Sequence, residues 1–446
     1  MGGLQWSTLR LDVVGLLAVI GESAMSAHCA ITTATKWGLV PRLIPAPQAL
    51  FRHSRPHRLP PRTQGVTVVG VCSGNSVKEL GYFANLLYGI EQLPKYSVRS
   101  ITIQHVQKLD PGRSNQVTTI PLRRLGPVII LSLLGALASL GILILAIIRA
   151  DGMAVVAILM ISATSSLVGL GSKWTLALPH RPANQNIPKA NIMVCGRQGA
   201  FLYISCTEEI ARELYFGQEE CKYMVGTGGF HVLAGVSTFM LMAAVIAMAN
   251  CTLVLQYALG ITYITMNGLY WLAALLPEDW HWHLEAAYCV TENPVPAEPM
   301  GGDDKDPVVE NRVLGELMGE NEDINNLESG NMKKRNRKCK QQRDENVKKP
   351  TGYDNFTEAL IVAIELAEGA QWVKFGGVAP RNAAWSAWLE EADRIWETGG
   401  VVGRTRWKEW NPGQQLKQKL KGVAEVVSSS NTESNIRGEY MYIARS

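Results

Sequence analysis

Long charge-free runs alternate with mixed polar segments along this chain. From Leu125 to Ile148 there is no Asp, Glu, Lys or Arg, and a second such run extends from Gly152 to Ser172 after the break Arg149, Ala150, Asp151. A third, Tyr223 to Pro277, is interrupted only by polar Asn250, Cys251 and Thr252 near its middle, so it can hold two helices. About 20 residues at about 1.5 Å each cross a hydrocarbon core of about 30 Å. The pattern therefore predicts four spans arranged as two helical hairpins. Lipid offers no partner to backbone N–H and C=O groups, which forces these runs to be helical despite their β-branched residues. Gly135 with Ser139, Ser162 with Ser166, and Ser165 with Gly169 place small residues four apart, where they would let the first two helices approach closely.

The segments between the spans carry other periods. Val66 to Cys72 and Val98 to Val106 read as strands and Asn75 to Glu91 as a helix, a β-α-β pattern. The turn Ser73–Gly74–Asn75–Ser76 invites a phosphate-loop reading but lacks the Lys and the glycine spacing that cradle a nucleotide. Asn191–Cys195 and Ala200–Ser205 read as a hairpin turning through Gly196–Gly199, with a helix capped by Thr207 and carrying Glu208 and Glu209 in its first turn. The fold class expected is thus α-helical transmembrane, with small cytosolic α/β elements and a helical Trp-rich C-terminal region. The divisions are an N-terminal segment 1–62 with a Pro/Arg-rich linker from Arg42; an α/β element 63–124; a hairpin 125–172; a connector 173–228; a second hairpin 229–277; an acidic-then-basic disordered linker 278–350; a Trp-rich region 351–427; and a tail 428–446.

Charge assigns sides. Lys108, Arg113, Arg123 and Arg124 precede the first span, and Lys173, Arg181, Lys189, Arg197, Arg212 and Lys222 lie between the hairpins, whereas the two tight turns contain one basic residue, Arg149. The positive-inside bias then makes the N-terminal region, the connector and the C-terminal tail cytosolic. Trp174, Phe230, Tyr270 and Trp271 would be aromatic anchors on that same side. Within residues 11–35, Val13–Gly21 is an apolar run and Ser23–Thr35 continues without charge after Glu22, which fits an additional span, an interfacial helix or a signal peptide.

Candidate chemistry is sparse. A charged fraction of only 18% fits a hybrid of apolar spans and polar segments. Eight cysteines without a CxxC pair read as unpaired, a Cys206–Cys221 bridge being the sharper alternative. Trp280–His281–Trp282–His283 would share a histidine face on a strand, as a metal site requires, but leaving a span it reads as interfacial anchoring. No triad, metal cluster or cofactor loop emerges, so neither catalytic residues nor a cofactor are assigned. The basic cluster Lys333, Lys334, Arg335, Arg337, Lys338, Lys340 and Arg343 resembles a nucleic-acid patch by composition alone; in a protein fixed in a bilayer the expected contact of residues 333–343 is anionic lipid, with no nucleic-acid partner.

Half of the twelve tryptophans lie between Tyr353 and Val427. Asp354–Val373 reads as one helix with Phe356, Leu360, Ile364 and Ala367 on a stripe, and Pro380 opens a second whose Trp385, Trp388, Leu389 and Trp396 share a face. Such stripes are more often core than surface. In so short a region, however, Trp385, Trp388 and Trp396 are the candidates for contact with a protein partner or the membrane surface.

The run from Asn191 through Glu278, with Thr207–Glu213 leading through Tyr215 into the charge-free hairpin, resembles uncharacterised multi-pass membrane proteins of filamentous fungi, a family without an assigned activity. Two functions stay open: a non-enzymatic membrane scaffold or regulator, and a transporter or channel subunit acting as an oligomer. Spans free of Asp, Glu, Lys and Arg favour the first. Gln256, Asn267, Thr262 and Thr265 would line a polar path in the second.

Overall fold

The computed structural model describes residues 22–50, 59–106, 120–123, 125–178, 189–295, 351–397 and 399–423. The basic cluster 333–343, the tail 428–446 and the apolar run before Glu22 lie outside them. The chain divides into two compact units. One is drawn from the residues up to Pro61, Gln116–Pro179 and Gln218–Ala287, and the other from Arg62–Asn115, His180–Gly217 and the chain from Tyr288 onward.

The first unit is built on four long helices, α1 (Pro127–Ile148), α2 (Gly152–Ser172), α3 (Thr227–Ala249) and α4 (Leu253–Ala274). Pro127 opens α1, where its missing N–H costs nothing. By length and composition α1, α2 and α3 can each cross a membrane. The fourth is as long, but Gln256, Asn267 and three tyrosines make it less apolar. The helices neighbour one another in the order α4, α1, α2, α3. Large apolar side chains point outward, among them Leu137, Leu140 and Ile147 of α1, Phe239 and Ile246 of α3, and Ile261 of α4.

Both hairpin turns are tight. Ala150 takes a left-handed conformation (φ 51°) between α1 and α2. Asp151 then caps α2, accepting from the Ala154 N–H at 3.1 Å, and its second oxygen accepts from the N–H of Thr252, at the start of α4, at 2.7 Å. One carboxylate thus ties the two turns together, and these hydrogen bonds hold its pKa below the ordinary carboxylate range. A short antiparallel pair, Trp174–Ala177 with Glu220–Tyr223, follows α2 and precedes α3.

The second unit is a mixed sheet covered by C-terminal helices. Its strands are β1 (Thr63–Gly70), β2 (Ser76–Leu80), β3 (Ser97–His105), β4 (Lys189–Cys195), β5 (Phe201–Thr207), β6 (Tyr288–Asn293) and β7 (Thr351–Gly352). The spatial order is β2-β1-β4-β5-β3-β6, with β7 also on β3. Only β3 and β5 are parallel, with Val98 opposite Phe201; the other pairs are antiparallel. The β4–β5 hairpin occurs as read from the sequence, its turn using Gly199 at φ +70°. The β-α-β reading is corrected. Ser76–Leu80 is a strand returning on β1 through a turn with Gly74 at φ +69°, and the helical part is reduced to Tyr82–Leu87 and a single 3-10 turn at Ile90–Gln92.

Four helices follow β7: α5 (Phe356–Ala367), α6 (Gln371–Gly376), α7 (Ala383–Trp396) and α8 (Gly400–Trp410), with a further helical stretch over 412–423. The single helix expected over Asp354–Val373 breaks at Glu368, which is left-handed (φ 51°), and restarts after Gly369. Asn355 caps α5 by accepting from the Glu358 N–H at 3.0 Å. Asp393, on α7, accepts from the Ala370 N–H at 2.9 Å and so caps α6 from outside it. α5 lies over β3 and β5 and α6 over β1 and β2. There Leu360, Ile364 and Trp372 pack with Val69, Val98, Met193 and Phe201.

Two further readings change. Disorder was expected from Glu278, yet Tyr288–Asn293 is an edge strand anchored by Arg99 to Glu292 at 2.9 Å. Cysteines 72, 195, 206 and 251 carry free thiols and Cys206 is not joined to Cys221, but Cys289 is disulfide-bonded, against the reading that all eight are unpaired.

Candidate functional site: a polar segment inside the helical unit

The stretch read as the start of a linker is among the most deeply packed in the first unit. Residues 22–34 form two short helices broken at His28, not one long helix, and a tight turn over Lys36–Leu39 leads into irregular chain ending in a second turn at Pro47–Leu50. Leu43, Ile44, Ala46 and Leu50 are buried, as is Arg42 at 1% exposure.

Its backbone is satisfied by the long helices. Ser165 on α2 accepts from the Arg42 N–H at 3.1 Å, Gly135 on α1 from the Leu43 N–H at 3.4 Å, and the Tyr263 hydroxyl on α4 from the Ala46 N–H at 2.9 Å. The Ser172 hydroxyl donates to the Leu50 carbonyl at 3.3 Å. Counted at about 1.5 Å per residue from the helix ends that lead into polar chain, Ser165 lies about 10 Å in, Gly135 about 12 Å, Tyr263 about 16 Å and Ser172 at the rim. The segment therefore enters the bundle to the helix midpoints and comes back out at the end where it entered.

Close approach explains the small residues. A Cβ on Gly169 would sit 2.0 Å from the Gly38 carbonyl oxygen, and one on Gly135 would sit 2.7 Å from that of Leu43. The small positions at 135 and 169 admit this segment's backbone and do not serve contact between α1 and α2, a correction to the sequence reading.

Polar side chains gather at the rim. His28 Nε2 is 3.0 Å from the Tyr270 carbonyl, and the rings of His28 and His281 lie edge to face at 5.9 Å. Burial, reinforced by neighbouring His28, holds His281 down to about 4. The Trp174 indole donates to the Ala30 carbonyl at 3.0 Å and the Thr33 hydroxyl at 3.1 Å. Trp174, Phe230 and Tyr270 are therefore buried rather than anchoring at an interface; Trp37, Trp271 and Trp280 are among the exposed aromatics.

Comparison with protein-family models, curated proteins and solved structures finds no match.

The structure separates the other candidates. Trp385, Trp388 and Trp396 are buried at 6%, 0% and 5% exposure. They pack against one another and the α8 tryptophans: Trp388 stacks on Trp410 at 5.7 Å, Trp396 meets Trp407 at 5.7 Å, and the Trp388 indole donates to the Pro412 carbonyl at 3.0 Å. They are core, because α8 and the stretch after it supply the cover that a two-helix reading lacked. His281 and Trp282 are buried while His283 is exposed, so the histidines share no face. Among the described residues no group of three or more His, Cys, Asp or Glu could hold a metal ion. Thr207 makes no cap; Glu208 pairs with Arg212, and the chain continues as a π-helical turn over Ala211–Phe216. That turn buries Glu213, which takes His105 Nε2 at 2.9 Å and the Tyr288 hydroxyl at 3.0 Å, a cluster the sequence did not single out. Burial pushes the neighbouring Cys206 thiol up to about 12, far from a reactive thiolate.

Proposed function

We propose that this chain is a multi-pass membrane protein with four spans in two hairpins, acting as a non-enzymatic scaffold or regulator on one face of its membrane. The observation that carries the topology is the strand order. Strands hydrogen-bonded in one sheet share a compartment, so the chain crosses the bilayer an even number of times between β3 and β4, and again between β5 and β6. If α3 spans, α4 must return, although it is the less apolar of the two. The same parity supports pairing α1 with α2, and the Asp151–Thr252 contact supports placing both tight turns at one end.

Orientation follows from flanking charge. Along the sequence Arg123 precedes the first hairpin and Lys173, Lys189, Arg197, Arg212 and Lys222 lie between the two hairpins, which favours a cytosolic sheet. The Cys289 disulfide would suit an oxidising compartment. Flanking charge takes precedence, because it acts during insertion, before any disulfide closes. With the tryptophans buried, a protein partner of the described residues would meet exposed side chains such as Phe375, Val401 and Val402. Residues 333–343 remain the proposed contact for anionic lipid, and the likeness to multi-pass membrane proteins of filamentous fungi fits this reading.

A transporter or channel subunit is the second reading, favoured by one observation: irregular, polar backbone reaches the helix midpoints, which in membrane proteins occurs where chain is buried in protein or lines a path. Extraction of membranes with alkaline carbonate should leave the full-length chain in the pellet. Solute flux in reconstituted vesicles then separates the two functions, and robust flux would replace the scaffold with the transporter.

A further inference from the structure

Helix α8 is seated on the tryptophan core by one side only. Gly403 lies so close to Trp396 that an added Cβ would sit 2.9 Å from the indole, and Trp407 is buried on the same side. The opposite side faces outward, and it begins with Val401 and Val402, exposed at 70% and 53%. Gly399 and Gly400, both at positive φ (59° and 54°), bend the chain into this tip, and a Cβ added to either meets nothing among the described residues within 4 Å. Charge gathers behind the tip. Between Gly400 and Val423 the chain carries Arg404, Arg406, Lys408, Lys417, Lys419 and Lys421 against Glu409 alone. Arg404 pairs with Glu368 and Lys419 with Glu391, but Arg406, Lys408, Lys417 and Lys421 are exposed. In the helical stretch over 412–423, Lys417 and Lys421 stand one turn apart on the exposed side.

We propose that the α8 tip and the basic side chains behind it dock on an anionic lipid surface. Two valines are too few to form the apolar centre of a stable protein interface, which takes about 20–30 residues a side. A lipid surface asks for less: a few apolar side chains below the headgroups and several basic ones among them. The signs are complementary, because the cytosolic leaflet is the anionic one and lies on the side that the flanking charges favour for the sheet. Val401 and Val402 enter the upper acyl region, while the ammonium and guanidinium groups donate to lipid phosphates and carboxylates. Residues 399–423 are thus a lipid contact separate from the one proposed for residues 333–343. The inference rests on the multi-pass reading, and at Val401 and Val402 it replaces a protein partner with lipid.

The test places the full-length protein in nanodiscs of phosphatidylcholine alone and of an equal mixture with phosphatidylserine. Both contain the same trace of phosphatidylcholine bearing a diazirine high on one acyl chain. After illumination and proteolysis, lipid crosslinked to peptides from residues 399–423 should be several-fold more abundant in the mixture. Val401→Asp combined with Val402→Asp should abolish it, and Lys417→Glu combined with Lys421→Glu should reduce it to the level seen in phosphatidylcholine alone. All four positions are exposed, so the unfolding midpoint should stay unchanged in both variants. Equal yields in the two lipids, or none in either, would overturn the proposal. So would carbodiimide coupling of Lys417 or Lys421 to carboxylates between Asp303 and Glu328 in place of lipid crosslinks, which would assign the face to the chain's own acidic stretch. Crosslinks to α1, α2 and α3 read the spans themselves. Their loss marks failure of the multi-pass reading, and their presence without crosslinks at 399–423 marks failure of this one.

Discussion

At the scale of single residues, the first unit is decided by where a side chain is missing. Gly169→Ala puts a methyl 2.0 Å from the Gly38 carbonyl oxygen, whereas Gly141→Ala meets nothing within 4 Å. Overpacking against backbone costs about 1–3 kcal/mol, so Gly169→Ala should lower the unfolding midpoint in detergent while Gly141→Ala leaves it unchanged. His281 supplies a pH dependence. In the unfolded chain it takes up its proton near 6.5, but in the fold only near 4, so the unfolded state binds the proton first. Stability present above about 6.5 should drain away as pH falls toward about 4. Replacing His281 with Phe should flatten that part of the curve; an unchanged slope would remove His281 as its source. The sequence revealed the small residues at 135 and 169 but not what they touch, because spacing along a helix says which face is thin and nothing about what lies against it. Arg42 was read as part of a Pro- and Arg-rich linker because no local pattern signals that an arginine will be enclosed by helices more than 80 residues further on.

At the scale of elements, periodicity served where the period was long and failed where it was short. The four charge-free helices fall where the long runs without charge put them, and along the stripe Phe356, Leu360, Ile364 and Ala367 the last three are buried and Phe356 is half-buried. β2 is five residues long and half exposed, and its alternation sits beside helix-compatible Leu80–Leu87, so a helix reading absorbed it. The break at Glu368 was hidden because Glu is an ordinary helix former; what ends α5 is the left-handed turn that brings Ala370 to the Asp393 carboxylate. Glu365 on α5 is the element's titrating weak point. Burial raises its pKa, with Lys408 and Arg404 opposing, so the fold favours the protonated form, and stability is lost as pH rises through the folded value. Glu365→Gln should therefore raise the midpoint at neutral pH, by an amount that shrinks on acidification. An equal gain at all pH values would mean that the carboxyl is not the cause.

At the scale of the whole molecule, the sheet makes topology testable. A membrane-impermeant maleimide applied to sealed vesicles should treat exposed Cys72 and a cysteine replacing Asn355 alike, and should treat a cysteine replacing Asn250 in the opposite way. Opposite reactivity of Cys72 and position 355 would break the parity argument, shared reactivity of all three positions would remove α3 and α4 as spans, and the vesicle orientation in which Cys72 reacts reports the compartment. The strand order was not legible beforehand, because partners so far apart in sequence leave no local trace. It also bears on biosynthesis. β1 and β3 emerge early from the ribosome yet do not touch; each pairs with the β4–β5 hairpin, which is translated only after α1 and α2. Until then both strands present open hydrogen-bonding edges to whatever is nearby. Nascent chains stalled within the connector should accordingly be the ones that engage chaperones, and release should follow elongation past Thr207, when β5 is complete and can bridge to β3.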